Sequence, residues 1–107
     1  MSSENKIQEM QDFERSLQNL LLQKQSFQIE SAENEETLNE IEKTGDEVFK
    51  MIGQLIIKTE KEKVKKELEE KKKILELRIK TFEKQEKILI EKLDFLREEV
   101  MKEVKKR

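Results

Sequence analysis

The 107-residue sequence has no cysteine, histidine, proline, tryptophan or tyrosine, and only two glycines. Without cysteine there is no disulfide framework and no thiolate chemistry, a usage that fits a reducing cytoplasm. The loss of histidine as well removes the commonest metal ligands, nucleophiles and general bases together, so neither enzyme activity nor a metal or other cofactor is expected. With two glycines there is no Gly-rich phosphate loop. The longest unbroken apolar runs are three residues, such as "LLL" at 20–22 and "LII" at 55–57, against the roughly 20 that a membrane span requires. The opening "MSSENKIQEM" has no basic region followed by an apolar block, so no secretory signal is expected. A soluble, cytoplasmic protein is the expectation.

What the chain does have is charge: 45% of its residues are charged and 34% hydrophobic. That balance cannot fill a wide globular core, so one domain spanning 1–107 with a thin architecture is expected. Abundant Glu, Lys, Leu and Ile match long helices or coiled coils, which need only a narrow apolar seam. Disorder is the alternative at this charge content, and the periodicity below argues against it. Heavy Lys and Glu use also resembles the composition of proteins from hot environments. The net charge of −2 hides an asymmetry, since residues 1–47 hold 12 acidic and 4 basic side chains and residues 48–107 hold 13 and 19. The second half therefore reads as an intramolecular complement of the first before it reads as a nucleic-acid surface.

From Met10, heptad a positions fall on Met10, Leu17, Lys24, Ser31 and Leu38, and d positions on Phe13, Leu20, Phe27, Asn34 and Ile41; seven of the ten are apolar. This predicts a first helix over about 6–43, ended by Gly45 in a left-handed cap with Lys43 at the negative end of the dipole. In the second half, d positions are Leu68, Leu75, Phe82, Leu89 and Leu96, and a positions Lys72, Ile79, Glu86, Leu93 and Val100. Thr59 and Glu62 form a capping-box pattern, so a second helix is predicted over about 60–105. At 1.5 Å per residue these helices would reach about 57 and 69 Å. A short connector folds them into an antiparallel coiled-coil hairpin, with Met10 and Phe13 near Leu93 and Leu96.

Between the helices, "VFKMIGQLIIK" at 48–58 breaks the heptad pattern. It reads as a short β-hairpin over about 47–58, with Gly53-Gln54 as a two-residue type II′ turn. Continuation of helix is the alternative, because Gly53 costs a helix only about 1 kcal/mol. Both faces of the ribbon would be largely apolar, and an isolated two-stranded ribbon is marginal in water. Val48, Phe49, Met51, Ile52, Gly53, Leu55, Ile56 and Ile57 are therefore assigned to subunit assembly. The fold class is mainly α: a long antiparallel two-helix coiled-coil hairpin with one β-hairpin at the connecting end.

Carboxylate pairs such as Glu35-Glu36 and Glu98-Glu99 lie on predicted helix surfaces and read as solvated faces. The block "KEKVKKELEEKKK" interleaves acids with its lysines and offers no aromatic platform, so no nucleic-acid partner is expected. More informative are apolar residues off the seam: Ile7, Leu22 and Ile29 in the first helix, and Ile74, Ile88, Phe95, Met101 and Val104 in the second. Several gather toward the helix ends that the hairpin brings together.

The pattern from Val48 to Lys58, continued by Thr59, Lys61, Glu62 and the Glu-rich helix beyond, resembles the beta subunits of the prefoldin family over about residues 45–100. Phe49 stands where such subunits often carry Tyr, which removes a hydroxyl and keeps the ring. A single hairpin favours the beta class, since the alpha class carries two. The resemblance implies a cytoplasmic hexamer of two alpha and four beta subunits, with β-barrels built from hairpins and coiled coils hanging below. It implies an ATP-independent holdase that captures unfolded polypeptides at the coiled-coil tips and delivers them to a group II chaperonin. On that basis Ile7, Met10, Phe13, Phe95, Val100, Met101 and Val104 are the expected client-binding residues. The alternative is a structural coiled-coil subunit that tethers other proteins and binds no client; it needs no off-seam apolar residues at the tips.

Overall fold

The computed structural model describes residues 3–106. Two helices, α1 (Ser3–Glu42) and α2 (Lys61–Lys105), flank two strands, β1 (Glu47–Ile52) and β2 (Leu55–Glu60). The architecture is the expected one, two long helices with an antiparallel β-hairpin between them. Every a and d residue of the two heptad series is buried or half-buried. The 3.5-residue repeat therefore selects the contact faces, even where the residue is Lys24, Asn34, Lys72 or Glu86.

The junctions differ from the sequence expectation. Gly53, at φ +58°, is alone among the described residues in having a positive φ, so Gly45 is not a left-handed cap. Instead, α1 ends in tightened i to i−3 bonds: Lys43 N–H to Glu40 O at 3.1 Å and Thr44 N–H to Ile41 O at 3.2 Å. The Thr44 hydroxyl also donates to Ile41 O at 2.7 Å. Lys61 Nζ donates to Glu42 O and Thr44 O at 3.2 and 3.1 Å, which brings a cation from α2 to the negative end of α1. The Thr59–Glu62 capping box does not form, because the ladder continues through Thr59 and Glu60. Its place is taken by the Lys61 N–H donating to Asp46 O at 2.9 Å. Pairing two further residues across the ribbon satisfies more backbone than an early helix start would.

Contacts cluster into two compact units. One is Phe27–Arg78; the other joins residues up to Ser26 with those from Ile79 onward. In the unit Phe27–Arg78, Leu38, Ile41 and Leu75 are buried, and so is Asn34. Asn34 Nδ2 donates to Leu68 O at 3.0 Å. Along the seam α1 supplies acids and α2 lysines: Glu30–Lys71 at 3.2 Å, Glu35–Lys72 at 2.7 Å and Glu42–Lys65 at 2.6 Å. The Lys65 ammonium holds the Glu42 carboxyl below its ordinary pKa, and the same contact raises that of Lys65. Lys72 is likewise raised by Glu35. Arg78 lies over the Phe27 ring, 5.8 Å from its centroid.

In the other unit the antiparallel seam is centred on Leu93, 3% exposed, and Leu96, 7% exposed. Here the polarity of most cross-helix ion pairs is reversed. Lys6 of α1 reaches Glu103 at 2.6 Å and Glu99 at 3.7 Å, and Lys24 reaches Glu86 at 2.7 Å. Glu14–Arg97, at 3.5 Å, keeps the other sense. The hydrogen bond to Glu103, opposed by partial desolvation, raises the Lys6 pKa.

Candidate functional site

The first surface is the β-hairpin of the unit Phe27–Arg78. Its register pairs Ile52 with Leu55, Met51 with Ile56, Lys50 with Ile57 and Phe49 with Lys58, so Gly53-Gln54 is a two-residue connection. Gly53 has φ +58°, and no other described residue has a positive φ. That combination suits the type II′ turn, whose first central residue alone takes the left-handed side. Cross-strand partners share a face. One face carries Phe49, Met51 and Ile56, exposed to 69, 72 and 66%. The other carries Ile52, Leu55 and Ile57, at 52, 66 and 43%, with Val48 half-buried beside the helices. The turn-side part of the ribbon, residues 51–57, carries no charge; Lys50 and Lys58, each fourth in its strand, pair with Glu67 at 2.8 Å and with Glu47 at 3.1 Å. The Lys50 contact holds the Glu67 carboxyl below its ordinary pKa.

This ribbon is apolar on both sides and has two strands only, so each strand presents one unpaired edge. Exposed apolar faces joined to open hydrogen-bonding edges are suited to pairing with further strands. All eight residues assigned to assembly from the sequence lie on β1, β2 or the turn between them.

The second surface belongs to the unit formed by the outer parts of α1 and α2. Ile7, Phe95, Met101 and Val104 are exposed to 44, 62, 55 and 58%. Met10, Phe13 and Val100 are half-buried seam residues that show only part of their surface. A groove of about 780 Å³ brings Phe13 together with Ile88, Phe95 and Leu96, under a rim of Lys6, Glu9, Glu91, Lys92 and Glu99. Lys92 Nζ lies 5.5 Å from the centre of the Phe13 ring. Met101, Val104, Ile7, Met10 and Val100 do not line this groove. Ile88 and Leu96 do, and neither was assigned to the site from sequence. The available signal for Ile88 was its c position, one heptad before Phe95. Leu21 and Ile90, at 39 and 41%, are further exposed apolar side chains of this unit that the off-seam count missed.

Among the described residues no acidic cluster suited to a metal ion occurs, and no helix is long and apolar enough to cross a membrane. The arrangement offers apolar contact and backbone pairing.

Comparison with known proteins gives a consistent family. The family model for prefoldin subunits matches residues 4–107. The beta subunit of prefoldin from Thermococcus onnurineus strain NA1 is 38% identical over 94 residues, covering 86% of this chain and 81% of that protein. That from Pyrobaculum islandicum is 36% identical over 105 residues, covering 96 and 84%. The crystal structure of the prefoldin beta subunit from Thermococcus strain KS-1 superimposes with a TM-score of 0.89 at 37% identity, covering 94% of this chain and 90% of that one. The aligned stretch takes in both helices and the hairpin, and the chain belongs to the prefoldin family of chaperone subunits, similar throughout to its beta class.

Proposed function

We propose that this chain is a holdase subunit that assembles through its β-hairpin and grips non-native polypeptides through the apolar ends of its helices. Assembly joins beta-class hairpins to those of an alpha-class partner in a hexamer of two alpha and four beta subunits. The observation that carries the reading is the exposure of Phe49, Met51, Leu55 and Ile56, each about two-thirds solvent-accessible. A contiguous apolar ribbon of that kind is a liability unless another sheet covers it.

The client role is supported by Phe95, Met101, Val104 and Ile7, which the coiled-coil seam does not use. Met101 supplies an unbranched side chain that adapts to many shapes, and Phe95, Val104 and Ile7 supply apolar area that needs no particular sequence in the client. Each end offers on the order of a few hundred Å² of apolar area, worth several kcal/mol at about 25 cal/mol per Å² before ordering costs, and several ends act on one client. Nothing in this contact consumes ATP, and release follows transfer to a group II chaperonin in the cytoplasm.

The test is to replace Ile7, Phe95, Met101 and Val104 by serine and assemble the variant with an alpha partner. The hexamer mass and helicity should persist while suppression of aggregation of a denatured enzyme is lost. Undiminished suppression would move the chain toward a purely structural tethering role.

A further inference from the structure

Cross-helix ion pairs in the two units differ in what a shift of alignment would do to them. In the unit Phe27–Arg78, Glu30, Glu35 and Glu42 face Lys71, Lys72 and Lys65. The basic residues recur every seven positions, as Lys58, Lys65 and Lys72, and as Lys71 and Arg78. Lys58 belongs to β2, so displacing α2 by one heptad offers Glu42 Lys72 and Glu30 Arg78 in one direction, and Glu35 Lys65 in the other. Either displacement keeps some of these pairs and loses others, with Glu35 left opposite Ile79 or Glu30 opposite Val64, so they select an alignment only weakly.

The other unit behaves oppositely. Lys24 and Glu86 both occupy a positions, 2.7 Å apart, with side chains 18 and 24% exposed. Displacement by a heptad places Ile79 or Leu93 opposite Lys24, stripping a half-buried charge of its partner. Lys6, 15% exposed, lies beside Glu99 and Glu103. The same displacement replaces Glu99 by Lys92 or Lys106, a like charge in either direction. Glu14 would exchange Arg97 for Ile90 or Val104.

We propose that the Lys24–Glu86 pair, supported by Lys6 with its two carboxylates, is the specificity element that holds α1 and α2 in a single antiparallel alignment, at a cost in stability. A polar pair in an otherwise apolar seam excludes misaligned pairings more than it strengthens the aligned one. The two rows accept aliphatic residues one heptad away, at Leu17 and Leu93, so the charges are not required by space. Residues 43–46 link α1 to β1, and fraying of a helix turn there supplies the slack for a slip. The alignment sets which side chains of α2 meet Phe13 in the groove. The inference concerns the chain itself and does not depend on the client role.

The sequence has no cysteine, so spin labels at Gln11→Cys and Glu98→Cys, both exposed, report the alignment in the full-length chain diluted with unlabelled protein. The parent should give one narrow distance distribution. The double variant Lys24→Leu with Glu86→Leu should melt at a higher temperature and show a second population, reflecting an axial displacement of about 10 Å per heptad. Lys24→Glu alone should lower the melting temperature and broaden the distribution, and adding Glu86→Lys should restore both. A single unchanged distribution in the Leu double variant, or failure of the charge swap to restore alignment, would overturn the proposal.

Discussion

The β-hairpin and the outer helix ends both expose large apolar side chains, yet they are not equivalent surfaces. On the hairpin, Met51 faces Ile56 and Ile52 faces Leu55 in a fixed ladder, and each strand keeps an unpaired edge. A partner must match that spacing and supply hydrogen bonds, so the contact is geometrically selective. At the helix ends, Phe95 and Met101 project from positions of α2 whose backbone groups bond within the helix, and Val104 from its last turn, where the free carbonyls form no extended edge. Only side chains are on offer, and such a surface discriminates little between partners. Open backbone edges select a partner, whereas loose apolar side chains accept many.

The largest expected effect breaks the hairpin side of this comparison. Ile56→Asp places a carboxylate on the face shared with Phe49 and Met51. In an assembled sheet that costs on the order of several kcal/mol per subunit. Sedimentation should show small helical species in place of the hexamer, while the helical circular dichroism signal persists. An intact hexamer would remove the assembly role from Val48–Ile57.

Next come the seams beneath each surface. Leu75 and Leu93 are both 3% exposed, so truncation of either to alanine should cost about 2–5 kcal/mol in thermal or denaturant melts. Their consequences should diverge, with Leu75→Ala loosening the unit that bears the hairpin and Leu93→Ala loosening the one that bears Phe13 and Phe95. Equal effects of both on hexamer mass and on aggregation suppression would erase the distinction.

A smaller effect sharpens the account of the turn. Gly53 has open space for a Cβ but sits at φ +58°, so Gly53→Ala should cost about 1–2 kcal/mol through backbone strain alone. Hexamer dissociation on dilution should shift accordingly, with no change in the melting of the separate helical seam.

Smallest is the pH response. Glu42 and Glu67 have lowered pKa values because Lys65 and Lys50 bind their carboxylates. Their contribution is complete above the ordinary value of 4.5 and is lost as pH falls through the lower folded value. The melting-temperature gap between the parent and a Glu42→Gln, Glu67→Gln variant should therefore close progressively below pH 4.5. Lys65 and Lys72 act in the opposite sense, contributing below 10.5 and fading as pH rises through their raised values.

Much of this was legible in the sequence because the controlling signals are local and periodic. The heptad rows from Met10 and from Leu68 identify the seam residue by residue, including the polar members Lys24 and Asn34. The Gly-Gln turn and alternating strands fix the hairpin register without reference to anything distant. The junctions were less legible. The Gly45 cap and the Thr59 capping box were overridden by Lys61, whose side chain and N–H bond groups 15–19 residues away, and no local propensity rule anticipates such partners. The groove at Phe13 and Phe95 was half legible. The c row pointed to Phe95 and Ile88, while the Lys6–Glu99–Glu103 cluster at its rim depends on the cross-helix alignment and so could not be seen from either helix alone.

The central claim, that one region selects partners and the other accepts clients, is tested most directly by hydrogen exchange followed by mass spectrometry on the full chain. Spectra are compared for the chain alone, with an alpha-class partner, and for that complex with a denatured enzyme. Adding the partner should protect residues 47–60, and adding the client should protect residues 3–13 and 95–106 without further change in the hairpin. Client-induced protection confined to 47–60, or partner-induced protection confined to the helix ends, would contradict the account.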